Sequence, residues 1–119
     1  MATNDPTTQE IREVANRYLA EFARQDWAGV CTTMAPSERR YYDRHGDSCV
    51  NAFRRNAKRV TRRGLKLFRN SRAGEIHLRA EEAVIEVTKL GWFDTILRLY
   101  AIQEQDRWWI ARSKKRRGS

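Results

Sequence analysis

Acidic residues are missing from one long stretch of this chain: between Asp47 and Glu75 there is none, yet nine Lys and Arg residues lie there, from Arg54 to Arg72. Also absent is any run of 18 apolar residues, and mean hydropathy is −0.82, which together exclude a membrane-spanning helix. Cysteine is scarce. Cys31 and Cys49 match neither a zinc-ligand spacing nor a CxxC redox pair, so they are either buried thiols or one disulfide. There is no glycine-rich phosphate loop, no Ser-His-Asp set and no metal-ligand cluster, so the sequence predicts no cofactor and no metal. No charged and apolar leader precedes Thr3, which makes the cytoplasm the expected location of the chain as it stands.

What is present is enough for one folded unit. The 119 residues suit a single domain, placed at 1–112, followed by a basic flexible tail at 113–119. Hydrophobic residues make up 40%, with four each of Trp, Tyr and Phe, which excludes a disordered chain. The net charge of +9 is concentrated in 47–72 and in the tail, while the rest is slightly acidic. Such asymmetry creates a local positive potential that draws phosphates or acidic proteins in a salt-dependent way.

Periodicity predicts the elements. Asp5 or Thr7 caps a first helix running to about Gln25, with Ile11, Val14, Tyr18, Leu19 and Phe22 on one face. Asp26 caps a short second helix, Trp27 to Met34, ended by Pro36; Ser37–Tyr42 forms another helical turn, broken at Gly46. Asp47 or Ser48 then opens a helix that puts Val50, Phe53, Ala57 and Val60 on one side and the basic residues on the other. Gly64 reads as its C-terminal cap and 65–68 as extended. Beyond Gly74 the period becomes two, and four runs (74–80, 83–90, 93–105, 107–113) read as an antiparallel meander. Ile76, Leu78, Ala80, Leu97, Leu99 and Ala101 share its apolar side; Glu75, His77, Arg79, Ile96, Arg98 and Tyr100 share the other.

The opening helix followed by Asp26-Trp27, the APSERRYY turn, the EEAVIEV strand and the closing DRWWIAR resemble the nuclear transport factor two-like (cystatin-like, SnoaL-like) superfamily over nearly the whole chain. The closest pattern is that of small actinobacterial accessory domains. The resemblance implies an α+β fold with N-terminal helices packed in the cone of a bent four-stranded antiparallel sheet, frequent homodimers through the open sheet face, and a cone that is either a small-molecule pocket or filled by side chains. It also implies a Cys31–Cys49 disulfide, which would place a trimmed chain outside the cytoplasm.

Three classes of function compete. In a pocket enzyme of ketosteroid-isomerase or polyketide-cyclase type, acting on a small hydrophobic substrate, His77, Asp94 and Tyr100 are the ionisable candidates for proton transfer; no catalytic set is assigned. Tyr41, Tyr42, Asp43 and His45 have suitable groups but read as an exposed turn. In an anion-binding module, Arg54, Arg55, Lys58, Arg59, Arg62, Arg63 and Lys66 meet an acidic protein, nucleic acid or membrane surface. In an assembly module, Ile96, Tyr100, Ile102 and Trp108 form the partner surface, because adjacent Trp108 and Trp109 must face opposite ways. The reading is a non-catalytic, dimeric binding module with a basic face.

Overall fold

The local signals for helix initiation are used almost literally. In the computed structural model, which describes residues 5–90 and 94–111, Asp5 accepts from the amides of Thr7 (2.7 Å) and Thr8 (3.1 Å) and so starts α1, Pro6–Ala23. Its buried stripe is Ile11, Val14, Ala15, Leu19 and Phe22. Asp26 caps α2, Trp27–Thr32, through the Gly29 amide at 2.9 Å. Pro36 does more than end α2, since it occupies the first position of α3, Pro36–Arg44. Ser48 caps α4, Cys49–Ala57.

One expectation is overturned here. The basic segment is two helices, not one: α4 stops at Ala57, and α5 spans Arg62–Arg69 with Thr61 accepting from the Gly64 amide at 3.1 Å. Gly64 therefore lies in the first turn of α5 instead of capping the end of α4, and 65–68 is helical instead of extended. A hydroxyl that satisfies an orphan amide makes a new start at Thr61 competitive with continuation.

Four strands follow: β1 Ser71–Arg79, β2 Glu82–Lys89, β3 Thr95–Glu104 and β4 Arg107–Ala111, antiparallel in the order β1-β2-β3-β4. The expected starts at Gly74 and Phe93 shift, β1 beginning three residues earlier; residues 91–93, 112 and the tail 113–119 lie outside the described residues. A bulge at Gly74–Glu75 breaks the β1–β2 register, and a Cβ on Gly74 would stand 2.9 Å from the Glu86 carbonyl oxygen, which explains glycine there. Thus the fold is α+β, with five helices among the described residues packed against a four-stranded antiparallel sheet.

The helix-facing side of the sheet carries Ala83, Ile85, Val87, Leu99, Ala101, Trp108 and Ile110, all buried. Helix α1 touches both outer strands, β1 and β4. Trp108 is 5% exposed and belongs to this core, so it is not part of an open partner surface; its neighbour Trp109 takes the other side. Ile96 also packs against the core, because the irregularity between Val87 and Thr88 turns it inward. Leu78 and Ala80, expected on the apolar side, are exposed where the β1–β2 hairpin runs past the helices.

Cys31 and Cys49 form a disulfide that ties α2 to α4. No described helix is long and apolar enough to cross a membrane.

Candidate functional site

The basic residues of α4, α5 and the turn between them form the strongest charged feature. Arg54, Arg55, Lys58, Arg59, Arg62, Arg63 and Lys66 are all exposed, and so are Arg69 and Arg72. Arg55 Nη2 donates to Asp47 Oδ2 at 2.6 Å, which holds the Asp47 carboxyl below its usual range, and Arg54 bonds the Asn51 side chain at 3.1 Å. Among the described residues Lys58, Arg59, Arg62, Arg63 and Lys66 have no ion-pair partner.

The apolar undersides of the same helices anchor this surface. Phe53 of α4 lies parallel to Trp27 at 6.3 Å, and Phe68 of α5 stacks on Phe22 at 4.3 Å. The arginines therefore sit on helices whose other face is fixed to α1 and α2, so their positions are set by packing.

Beneath these helices is a half-open cleft of about 330 Å³, lined by Tyr18, Met34, Phe53, Phe68, Leu97 and Ile110 among others. Its size is at the low end of small-molecule sites. Tyr18 is its notable polar group: burial pushes the phenol well above its ordinary range, the nearby Tyr42 adds to the shift, and among the described residues no hydrogen bond engages the hydroxyl. Tyr42 and Asn56 also line the cleft, and Arg98 and Tyr100 border it from β3, although their register with Glu86 and Val84 puts their side chains on the open side of the sheet.

The three residues considered for proton transfer do not converge. Tyr100 borders the cleft but stands with His77 on the open side of the sheet, on either side of Val84; Asp94 is exposed just before β3, no contact joins the three among the described residues, and His77 Nε2 lies 2.9 Å from Glu86 Oε2. Among the described lining residues there is neither carboxylate nor imidazole. His45 Nδ1 contacts the Tyr41 carbonyl at 2.7 Å, a local helix-end bond, and does not pair with Asp43.

Sequence reasoning missed a second cluster. Glu75, His77 and Glu86 bring ligand atoms within 4.8 Å of one another, a donor set a divalent cation could accept. Glu86 is already engaged: its carboxyl is held low first by the Thr95 hydroxyl, then by His77, with Arg98 adding a smaller effect. Only the β1–β2 pairing joins these residues, so no spacing along the chain signals them.

Of the expected partner surface, Tyr100 and Ile102 remain on the open side, joined by Trp109. The Trp109 ring lies near two guanidinium groups, Arg39 at 5.7 Å and Arg107 at 5.4 Å, and its Nε1–H donates to the Glu104 carbonyl at 3.0 Å. Tyr100, Ile102 and Trp109 are only partly exposed, whereas among the described residues the large apolar side chains that stand out are Leu78 (46%) and Leu90 (50%). Searches of family models, curated proteins and solved structures find no match to this chain.

Proposed function

We propose that this protein is a non-catalytic binding module whose α4–α5 face holds a phosphate-bearing polyanion of the nucleic-acid backbone type. One observation carries the reading: five cations, Lys58 and Arg59 in the turn and Arg62, Arg63 and Lys66 on α5, are exposed without an ion-pair partner among the described residues, on a segment whose flanking helices are pinned from below. Arginine predominates, and its planar fork suits phosphate oxygens. Neither large exposed apolar side chain lies on α4 or α5, so the face lacks what membrane insertion would use. It also lacks exposed aromatic rings, so contact is with the backbone and not by base stacking. A nuclear transport factor two-like fold is part of the proposal; the contact of α1 with both outer strands supports it.

The test is titration of a labelled duplex oligonucleotide at several salt concentrations. Arg59→Glu/Arg62→Glu/Arg63→Glu should abolish binding at physiological salt. Each of the three neutral variants (Arg→Gln) should lower the salt slope by about one. Arg55 is left alone because it is paired with Asp47. Binding unchanged in the triple variant, with unchanged circular dichroism, would sink the reading.

A second reading rests on the cleft. The hydroxyl of Tyr18, with no hydrogen bond found among the described residues, lies in an aromatic pocket and favours a small apolar ligand with one hydrogen-bonding group. The described lining supplies no carboxylate or imidazole to move a proton, which favours ligand binding over isomerase or cyclase chemistry.

A further inference from the structure

The sheet has two outer edges, and its backbone groups can be followed along each. On β4, the Ile110 amide donates to the Thr33 carbonyl (2.8 Å), its carbonyl accepts from the Ala35 amide (3.0 Å), and the Trp108 amide donates to Glu10 (3.0 Å). On β1, the Ala73 amide donates to Asn16 Oδ1 (2.8 Å), while Arg12 donates to the carbonyls of Ala73 (2.9 Å) and Gly74 (2.8 Å). These edge bonds stop before Glu75. From there to Arg79 no backbone bond beyond those to β2 is found among the described residues.

The phase of that open stretch follows from its turn. A two-residue connection, Ala80–Glu81, makes Arg79 and Glu82 the pair that exchanges hydrogen bonds, and alternation then turns the N–H and C=O of Ile76 and Leu78 away from β2. Leu78 is 46% exposed, one of two large apolar side chains among the described residues that stand out in this way. An edge with unpaired backbone and an exposed leucine is the kind natural proteins protect by charge, a bulge or a partner.

We propose that the partner is a second copy of this chain, joined β1 to β1 about a two-fold axis at His77. In this antiparallel register the two outward-facing residues meet each other, Ile76 opposite the partner's Leu78, and each such pair exchanges two N–H···O bonds. The side chains agree with it. Glu75 comes opposite the partner's Arg79, and Arg79 opposite the partner's Glu75, so both charged pairs are complementary. His77 meets its own copy, flanked by Glu86 and Glu75 from each side. Moving the centre to Leu78 would set Arg79 against His77, and moving it to Ile76 would call on the Gly74 carbonyl that Arg12 already occupies. The dimer joins two four-stranded sheets into one and covers Leu78, leaving α4 and α5 outside the contact.

Sedimentation velocity against concentration tests this, with the expected species at twice 14.1 kDa. Glu75→Arg and Arg79→Glu each place like charges opposite one another at both pairs and should weaken dimerisation about ten-fold or more. The double variant Glu75→Arg/Arg79→Glu restores complementarity and should restore the dimer. His77→Cys supplies a second readout: a pair opposed without mutual hydrogen bonds has Cα atoms about 4.5 Å apart, within disulfide reach, so this variant should oxidise to a covalent dimer. Cys31 and Cys49 are already joined to each other and leave no competing thiol. A protein that stays monomeric at all concentrations, or a dimer indifferent to both single reversals, overturns the proposal. Cross-linking at Arg98→Cys in place of His77→Cys overturns it equally, since that would mark the open sheet face as the contact.

Discussion

Tyr18 shows how one buried polar group makes a measurable statement about the whole fold. Its phenol sits in the cleft under α4 and α5, close to the rings of Phe22 (6.0 Å) and Phe53 (6.4 Å), and burial followed by the influence of Tyr42 raises its pKa. The direction sets the sign of the linkage. An unfolded tyrosine gives up its proton near pH 10, whereas folded Tyr18 keeps it, so the stability due to this site is complete below about pH 10 and lost as pH rises above it. The loss approaches about 1.4 kcal/mol per pH unit while only the unfolded chain is ionised. Urea unfolding at pH 9, 10 and 11 should therefore show a steeper alkaline decline in the wild type than in Tyr18→Phe. At neutral pH the substitution should cost little, because among the described residues no hydrogen bond to the hydroxyl is found. Equal alkaline slopes would mean that the phenol ionises freely and that the cleft is wetter than its lining suggests.

At the level of elements, the division between α4 and α5 matters most, because it decides how the cations are presented. If Thr61 starts a helix, Thr61→Ala removes the oxygen that accepts from the Gly64 amide at 3.1 Å and should cost about 1 kcal/mol, while Thr61→Ser keeps it. If the basic segment were continuous, alanine would be the better helix former and the same change would be neutral or stabilising. Equilibrium unfolding of the two variants separates these outcomes. This boundary was hard to read because Val60 continues the apolar stripe of Val50, Phe53 and Ala57, and Gly64 offers a familiar helix ending. Elsewhere local chemistry was legible: Asp5, Asp26 and Ser48 act as caps, and period-two alternation marks the strands. Alternation also requires Trp108 and Trp109 to part, but which ring enters the core depends on register with β3, a non-local fact. The Glu75–His77–Glu86 cluster was invisible for the same reason, and Ile96 was misassigned because an irregularity in pairing leaves no mark on the pattern.

Considered as a whole, the molecule has an asymmetric construction: α1 is buried against the sheet, while α4, which carries Arg54 and Arg55 of the basic face, is joined to α2 by the Cys31–Cys49 bridge. The two cysteines are 18 positions apart, and closing a loop of that length in the unfolded chain contributes roughly 3 kcal/mol in the chain-entropy picture. For a domain of this size that corresponds to a fall in Tm of roughly 10 °C on reduction. The native contacts of α4 do not all depend on the bridge, since Ser48 still caps it and Phe53 still lies against Trp27. The reduced protein should therefore remain folded at room temperature, bind a duplex oligonucleotide with nearly unchanged affinity, and melt earlier. Scanning fluorimetry with and without reductant checks this directly, because Trp27 reports on the α2–α4 contact. A Cys31→Ala/Cys49→Ala variant should melt with the reduced protein, somewhat lower if the cavity left by both sulfurs is not refilled. Loss of oligonucleotide binding on reduction, at a temperature where circular dichroism is unchanged, would show instead that the bridge itself holds the arginines of α4 in their binding geometry.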